Sequence, residues 1–450
     1  MTEKIQQTLR DSKAARWTAL GITSFTMMCG YFFTEVISPL KPMLEAQIGW
    51  DSTAFGTVTS AYGWFNVFLL MLIFGGIILD KMGIRFTAIA SALVMVVGAV
   101  TKFLGLALAP KLGPSASVWV ASIGFAIFGV GVETAGITVS KVIVKWFKGK
   151  EIALAMGLQV ALARLGSFGS LFFAPMIAKA WNVSAPALLG AVLLCIGLIT
   201  FIIYNFMDRK LDKQIQLELD AEDPFRLKDI GMIVTNRGFW YIALLCVLFY
   251  SEVFPFYKFG PDLMVNKFGV NPEHAGIIPS LVPFGTMFLT PVFGSVYDHI
   301  GKGASIMILG SLMLLGVHIV LWIPGLTSVV LAVAMVIILG MAFSLVPSAM
   351  WPSVPKIIPE KQLGTAFALI FWVQNWGLMG IPFLLGVVLD ATNPGVSAAK
   401  QAGQDVAYNY GTTWLIFIAC SALSILVAFL LKAEDKKKGY GLEKANIVKA

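Results

Sequence analysis

The chain is 450 residues long, 58% hydrophobic and only 13% charged, with a mean hydropathy of +0.82; soluble globular domains are far more polar, so a polytopic membrane protein is expected and a soluble enzyme is excluded. The net charge of +8 does not point to nucleic acid, because the lysines and arginines fall mainly between apolar blocks, where they act as topology signals. Cys29, Cys195, Cys246 and Cys420 all lie inside apolar blocks, so neither a disulfide framework nor a clustered zinc site is expected.

In chain order, a polar tail at 1–16 leads into an apolar run too long for a signal peptide, so the first helix is expected to be retained. Windows long enough to span a bilayer follow near 17–39, 53–79, 86–108, 116–145, 151–178 and 185–207. A polar segment at 208–237 then precedes six more, near 238–258, 274–297, 303–323, 327–352, 363–389 and 409–432, and a charged tail closes the chain at 433–450. The expectation is an all-α membrane protein of twelve helices: a six-helix bundle at 17–207, a linker, and a second bundle at 238–432. Lys81, Arg85, Lys145, Lys148, Lys150, Arg209, Lys210, Lys302, Lys356 and Lys361 fall on one side, whereas the other carries only Lys41, Lys102, Lys111, Lys179, Lys267 and Lys400. The positive-inside rule therefore places both termini and the linker in the cytoplasm.

Two charges interrupt the fourth and fifth windows. Counted outward from the basic turn at Lys148, Glu133 and Arg164 each lie roughly 22–24 Å along their helices at ~1.5 Å per residue. That depth is near the middle of a bilayer, where an unpaired charge costs at least ~2.5–3.5 kcal/mol. Either they tie the two helices together as an ion pair, or they face a watery path and hold a ligand. A guanidinium suits a carboxylate through two parallel hydrogen bonds, and a glutamate suits an α-ammonium group. Together they suit a zwitterion.

The two halves repeat one pattern. After the second window comes Gly76-Ile-Ile-Leu-Asp80-Lys-Met-Gly83-Ile-Arg85, and after the eighth Gly294-Ser-Val-Tyr-Asp298-His-Ile-Gly301-Lys302. The glycines are expected to permit close helix packing and a tight turn, and the aspartates to latch a helix end or a base. This repeat resembles the loop signature of the major facilitator superfamily. The resemblance implies two bundles around a central cavity and rocker-type alternating access. It also implies that Gly76, Asp80, Gly83, Arg85, Gly294, Asp298, Gly301 and Lys302 act in conformational switching.

A narrower resemblance, to the lysosomal dipeptide uniporters, rests on several stretches. They are Trp146–Glu151, Gly157-Leu158-Gln159, Ala163-Arg164-Leu165-Gly166-Ser167, Trp64-Phe65-Asn66-Val67, Val253-Phe254-Pro255-Phe256, Lys267-Phe268-Gly269, Pro291-Val292-Phe293-Gly294, Pro359–Ala366, and Gln374-Asn375 with Gly377-Leu378. It implies that Glu133 and Arg164 hold the charged ends of a dipeptide. The run Tyr31-Phe-Phe-Thr-Glu35 departs from that subfamily's pattern. The N-terminal tail lacks an acidic dileucine sorting signal, so a bacterial inner membrane is expected, with a lysosomal membrane as the alternative.

Other polar residues keep two readings. Glu35 is either a proton-coupling carboxylate or a solvated residue near the outer headgroups. Glu252 and Lys258 are a gate, a ligand site or, for Glu252, a proton site; Lys258 otherwise snorkels outward, as Lys141 does inward. Tyr62, Asn66, Gln374 and Asn375 either recognise ligand or pack helices through hydrogen bonds. The expected function is secondary transport of dipeptides or similar small zwitterions by a monomer acting as a uniporter. A proton-coupled carrier of another small solute, such as an organic anion or drug-like compound, is the alternative. No enzyme chemistry, cofactor, metal or nucleic-acid partner is expected; the partners are the solute and the bilayer.

Overall fold

The computed structural model describes residues 8–147, 150–214, 227–359 and 362–447. Lys148, Gly149, residues 215–226 of the linker, Glu360, Lys361 and the extreme tails lie outside them. Apolar periodicity long enough to span a membrane becomes helix throughout, and no strand occurs among the described residues. The N-terminal half comprises α1 (Lys13–Glu35), α2 (Lys41–Ile48), α3 (Ser52–Ser60), α4 (Trp64–Phe68), α5 (Met71–Ala107), α6 (Ala109–Phe147), α7 (Ile152–Ala180) and α8 (Ala185–Gln214). After α9 (Leu227–Val234), the C-terminal half comprises α10 (Arg237–Phe268), α11 (Ile277–Ile300), α12 (Gly303–Trp322), α13 (Val329–Ile357), α14 (Leu363–Thr392), α15 (Val396–Gln401) and α16 (Gly411–Lys438).

Eleven helices among the described residues are long and apolar enough to cross a membrane. The missing twelfth is the window at 53–79, which crosses as a broken path. It runs through α3, a 3₁₀ turn at Ala61–Gly63, α4, and the first part of α5 up to a bend at Gly83 (φ 78°). Between α4 and α5, Leu70 adopts φ 54°, a left-handed conformation that costs a non-glycine residue roughly 1–3 kcal/mol. A broken helix exposes carbonyls, and Trp372 Nε1 of α14 donates to the Val67 carbonyl at 3.1 Å. Trp372 thereby ties the two halves at mid-depth.

The turn between α6 and α7 is anchored within its own half. Trp146 Nε1 donates to Asp208 of α8 at 3.1 Å, and Lys145 reaches the same carboxylate at 2.8 Å. Arg16 of α1 meets Glu151 at 3.1 Å. On α7, a Cβ on Gly166 would lie 2.1 Å from the Met28 carbonyl oxygen. Glycine therefore lets α7 press against α1, which sets the direction of neighbouring Arg164.

The halves meet at the face opposite the termini and part at the face that carries them. On the closed face, Lys41 Nζ pairs with Asp262 at 2.9 Å, both fully buried. Tyr410 also donates to Asp262, Tyr408 donates to Glu45, and Lys179 pairs with Glu273. Asp390 accepts from the backbone N–H groups of Ser52 and Thr53 at 3.2 and 2.6 Å, so a carboxylate from α14 caps the positive end of α3. On the terminal face, no hydrogen bond or ion pair joins the halves among the described residues; Asp80, Arg85 and Asp298 all pair inside their own half.

Two loop assignments need correction. Lys102 lies inside α5 and Lys41 at the start of α2, and both are 0% exposed. Basic residues mark loops only when water can reach them, and these two are held in the protein interior.

The closed face yields a first expected outcome. A Cβ on Gly386 of α14 would lie 2.3 Å from the Ser52 carbonyl oxygen. Gly386→Val should prop α3 away from α14, at an overpacking cost of about 1–3 kcal/mol to the closed arrangement. Thiol labelling of a cysteine placed at Ser52 should then accelerate roughly tenfold or more.

Candidate functional site

Between the halves lies a cavity of about 470 Å³, within the range that holds a small organic ligand. Its N-terminal wall is charged and polar: Tyr31 and Glu35 of α1, Tyr62 of the 3₁₀ turn, Glu133 of α6, and Gln159 and Arg164 of α7. The opposite wall is largely aromatic, with Tyr250 and Phe254 of α10, Phe343 and Trp351 of α13, and Phe371 of α14, together with Lys258 and Gln374.

Glu133 and Arg164 are not joined to each other among the described residues. Glu133 Oε1 accepts from the Tyr62 hydroxyl at 2.7 Å, and Asn375 approaches the same carboxylate from α14. The Arg164 guanidinium carbon lies 4.7 Å from the Phe343 ring centroid, 5.7 Å from Phe254 and 5.9 Å from Tyr31. Its Nη1 is buried without a hydrogen-bond partner among the described residues. Aromatic faces hold a cation in place while leaving its N–H groups available in the ring planes' surroundings. The site thus presents an acceptor and a donor of opposite charge, each steadied by neutral groups.

A second charged pair lines the cavity toward the closed face. Lys258 Nζ donates to Glu35 Oε2 at 2.7 Å and to the Thr34 carbonyl at 2.9 Å; Ser38 Oγ donates to the same Glu35 oxygen at 2.7 Å. Glu35 is 1% and Lys258 6% exposed. Glu35 is therefore not solvated at the headgroups, and Lys258 does not snorkel. Lys141 pairs with Asp80.

Three of the expected ligand residues lie off the cavity surface. Asn66 is fully buried one helical turn beyond Tyr62. Asn375 is 1% exposed, and its Nδ2 donates to the Phe371 carbonyl at 3.0 Å. Glu252 is the clearest correction. Its carboxylate accepts from Ser424 at 3.1 Å and from Ser421, with His318 Nε2 at 3.8 Å, all inside the C-terminal half. Six residues of helix turn the chain by about 240°, so Lys258 faces the cavity and Glu252 faces away from it. They form no pair.

The repeated loop signatures differ in detail. Gly83 and Gly301 adopt φ 78° and 70°, as the tight turn requires. Gly76 and Gly294 would meet nothing within 4 Å among the described residues if they carried a Cβ, so the close packing expected of them is not made by those residues. Asp80 pairs with Lys141, and Arg85 with Asp212 at 3.0 Å. Asp298 instead accepts from the Asn446 side chain at 2.8 Å, and the Lys302 N–H donates to the Glu443 carbonyl at 3.0 Å. The C-terminal tail takes the place that Lys141 takes in the first half.

Sequence reasoning missed the aromatic wall and the pairs of the closed face. The wall carried a signal: Tyr250, Phe254 and Lys258 are spaced four residues apart and share one face of α10.

A multi-pass helical protein whose two halves enclose a central charged cavity, shut at one face and parted at the other, has the architecture of a secondary carrier. The chain belongs to the Major Facilitator Superfamily, whose family model matches residues 23–382. It is 27% identical over 445 residues to the human (Homo sapiens) lysosomal dipeptide transporter MFSD1, covering 95% of this chain and 88% of that protein. In fold it is similar to the nucleoside transporter NupG, with a TM-score of 0.68 at 18% identity over 93% of this chain and 98% of that one. It is also similar to a bacterial homologue of the human lysosomal transporter Spinster in an inward-facing, occupied conformation, with a TM-score of 0.70 at 14% identity over 95% and 98% of the two chains. The protein is an integral membrane transporter of small solutes, as its family and relatives are.

Proposed function

We propose that this transporter moves dipeptides or similar small zwitterions by rocker-type alternating access as a uniporter. The observation that carries the reading is the disposition of Glu133 and Arg164, which line one cavity without neutralising each other. Glu133 takes the α-ammonium group, and Arg164 takes the carboxylate through its fork. Tyr62 steadies the acid, and Gln374 offers an uncharged polar contact from the facing half. The ligand's side chains lie against Tyr250, Phe254 and Phe343, so bulky apolar side chains are favoured.

In this cycle the closed face is the outer one and the terminal face is cytoplasmic, with a bacterial inner membrane as the site of action. The halves at 17–207 and 238–432 rock about the cavity, and Asp80 and Asp298 with their flanking glycines and bases act as latches on the inner face. The likeness to lysosomal dipeptide transporters supports the substrate class. A proton-coupled carrier for an organic anion is the second reading, favoured by the Glu35–Lys258 pair inside the cavity.

Charge dependence separates the two readings. In a thermal-shift titration, a free dipeptide should stabilise the purified protein, and its N-acetylated form, which keeps the carboxylate but loses the ammonium, should not. Equal stabilisation by both would favour the organic-anion reading.

A further inference from the structure

Lys102 has no place in the cavity or in the pairs of the closed face. It is 0% exposed within α5, its Nζ lies 3.4 Å from the centroid of Phe125 and 5.1 Å from that of Phe33, and among the described residues no hydrogen-bond acceptor meets it. Ring faces offset only part of what it costs to keep an amine at this depth.

Phe125 is shared. Lys258 Nζ lies 6.0 Å from the same ring centroid while it holds Glu35 at 2.7 Å. Lys102 and the Glu35–Lys258 pair thus border one and the same ring. The three charges differ in which half carries them. Glu35 on α1, Phe125 on α6 and Lys102 on α5 belong to the N-terminal half; Lys258 on α10 belongs to the other. Helices α5 and α6 are locked together at this level, since a Cβ on Gly124 would lie 2.3 Å from the Lys102 backbone nitrogen. Lys102 and Glu35 thus travel together.

Opening the closed face pulls α1 away from α10 and severs Glu35 from Lys258. Without a replacement, the Glu35 carboxylate would exchange its cation for water alone on the wall of a narrow cavity, an exchange that opposes the opening. We propose that Lys102 is that replacement: it swings around the Phe125 ring and takes over Glu35 when Lys258 leaves. One cross-half ion pair is exchanged for one within the N-terminal half. Lys102 is thus a positioning residue of the transport cycle, acting through Glu35 and never touching the solute. The inference rests on the two-state cycle proposed above but not on the identity of the substrate.

The test reads opening directly and needs no substrate. With Ser52→Cys as a buried reporter at the closed face, the labelling rate by a membrane-impermeant thiol reagent added to that face of reconstituted vesicles follows the open population. Lys102→Met should slow labelling at least tenfold when Glu35 is present. In a Glu35→Gln background, where no carboxylate needs a partner, Lys102→Met should change the rate less than twofold. Equal slowing in both backgrounds, or none in the first, overturns the proposal. Lys102→Gln is carried in parallel, so that a folding failure of one variant does not decide the matter. A parent carrier that is never labelled contradicts the two-state cycle itself, and this proposal with it.

Discussion

Arg164→Ala is expected to abolish ligand stabilisation while leaving a folded carrier. The side chain stacks between aromatic rings and leaves Nη1 without a partner among the described residues, so its removal breaks few contacts that hold the fold. In the bound state the same fork would make two charge-assisted hydrogen bonds to a carboxylate, each worth about 1.5–3 kcal/mol. Losing them should weaken binding by about 3 kcal/mol or more, a factor of at least ~150. Arg164→Lys should recover only part of this, because a point charge cannot reproduce two parallel bonds and stacks less well on Phe343. Dissociation constants for a free dipeptide measured on the three proteins check the order; unchanged affinity in the alanine variant would remove Arg164 from the site.

The sequence made this residue legible because depth along a membrane helix is simple arithmetic. Glu133 and Arg164 could be placed opposite each other by counting from one turn, and the cost of charge at that depth made a cavity the economical explanation. The helix count was legible for the same reason, from hydropathy alone. The broken path at Leu69–Leu70 was not, since neither glycine nor proline marks it and the left-handed Leu70 is held by its tertiary setting. Pairs that span the halves were out of reach as well. Glu35 and Lys258 are 223 residues apart, and nothing local at either position names the other. Lys41 and Lys102 were read as loop residues because charge was taken to imply water. Glu252 was misplaced for a different reason: it shares a helix with Lys258, but a six-residue step points the two side chains to different sides.

The other large effect is expected at Lys41. Its ammonium and the Asp262 carboxylate are buried at the seam of the two halves, 2.9 Å apart, with Tyr410 as a further donor to the carboxylate and the Tyr408 ring centroid 4.4 Å from Lys41 Nζ. Lys41→Met leaves a carboxylate without its cation, which costs about 3–5 kcal/mol in a buried setting. That cost falls on the closed arrangement alone, because parting the halves gives Asp262 access to water. The equilibrium should therefore shift toward opening of this face by about two orders of magnitude or more. Transport should fall, since a carrier held in one state cannot return. Lys41→Met combined with Asp262→Leu should largely reverse both effects, because replacing a whole buried pair by apolar groups is close to neutral whereas breaking it is not. Labelling of the Ser52→Cys reporter measures the population and vesicle uptake measures the turnover. A double variant as open as the single one would mean that Lys41 holds the face shut by its packing and not by its charge.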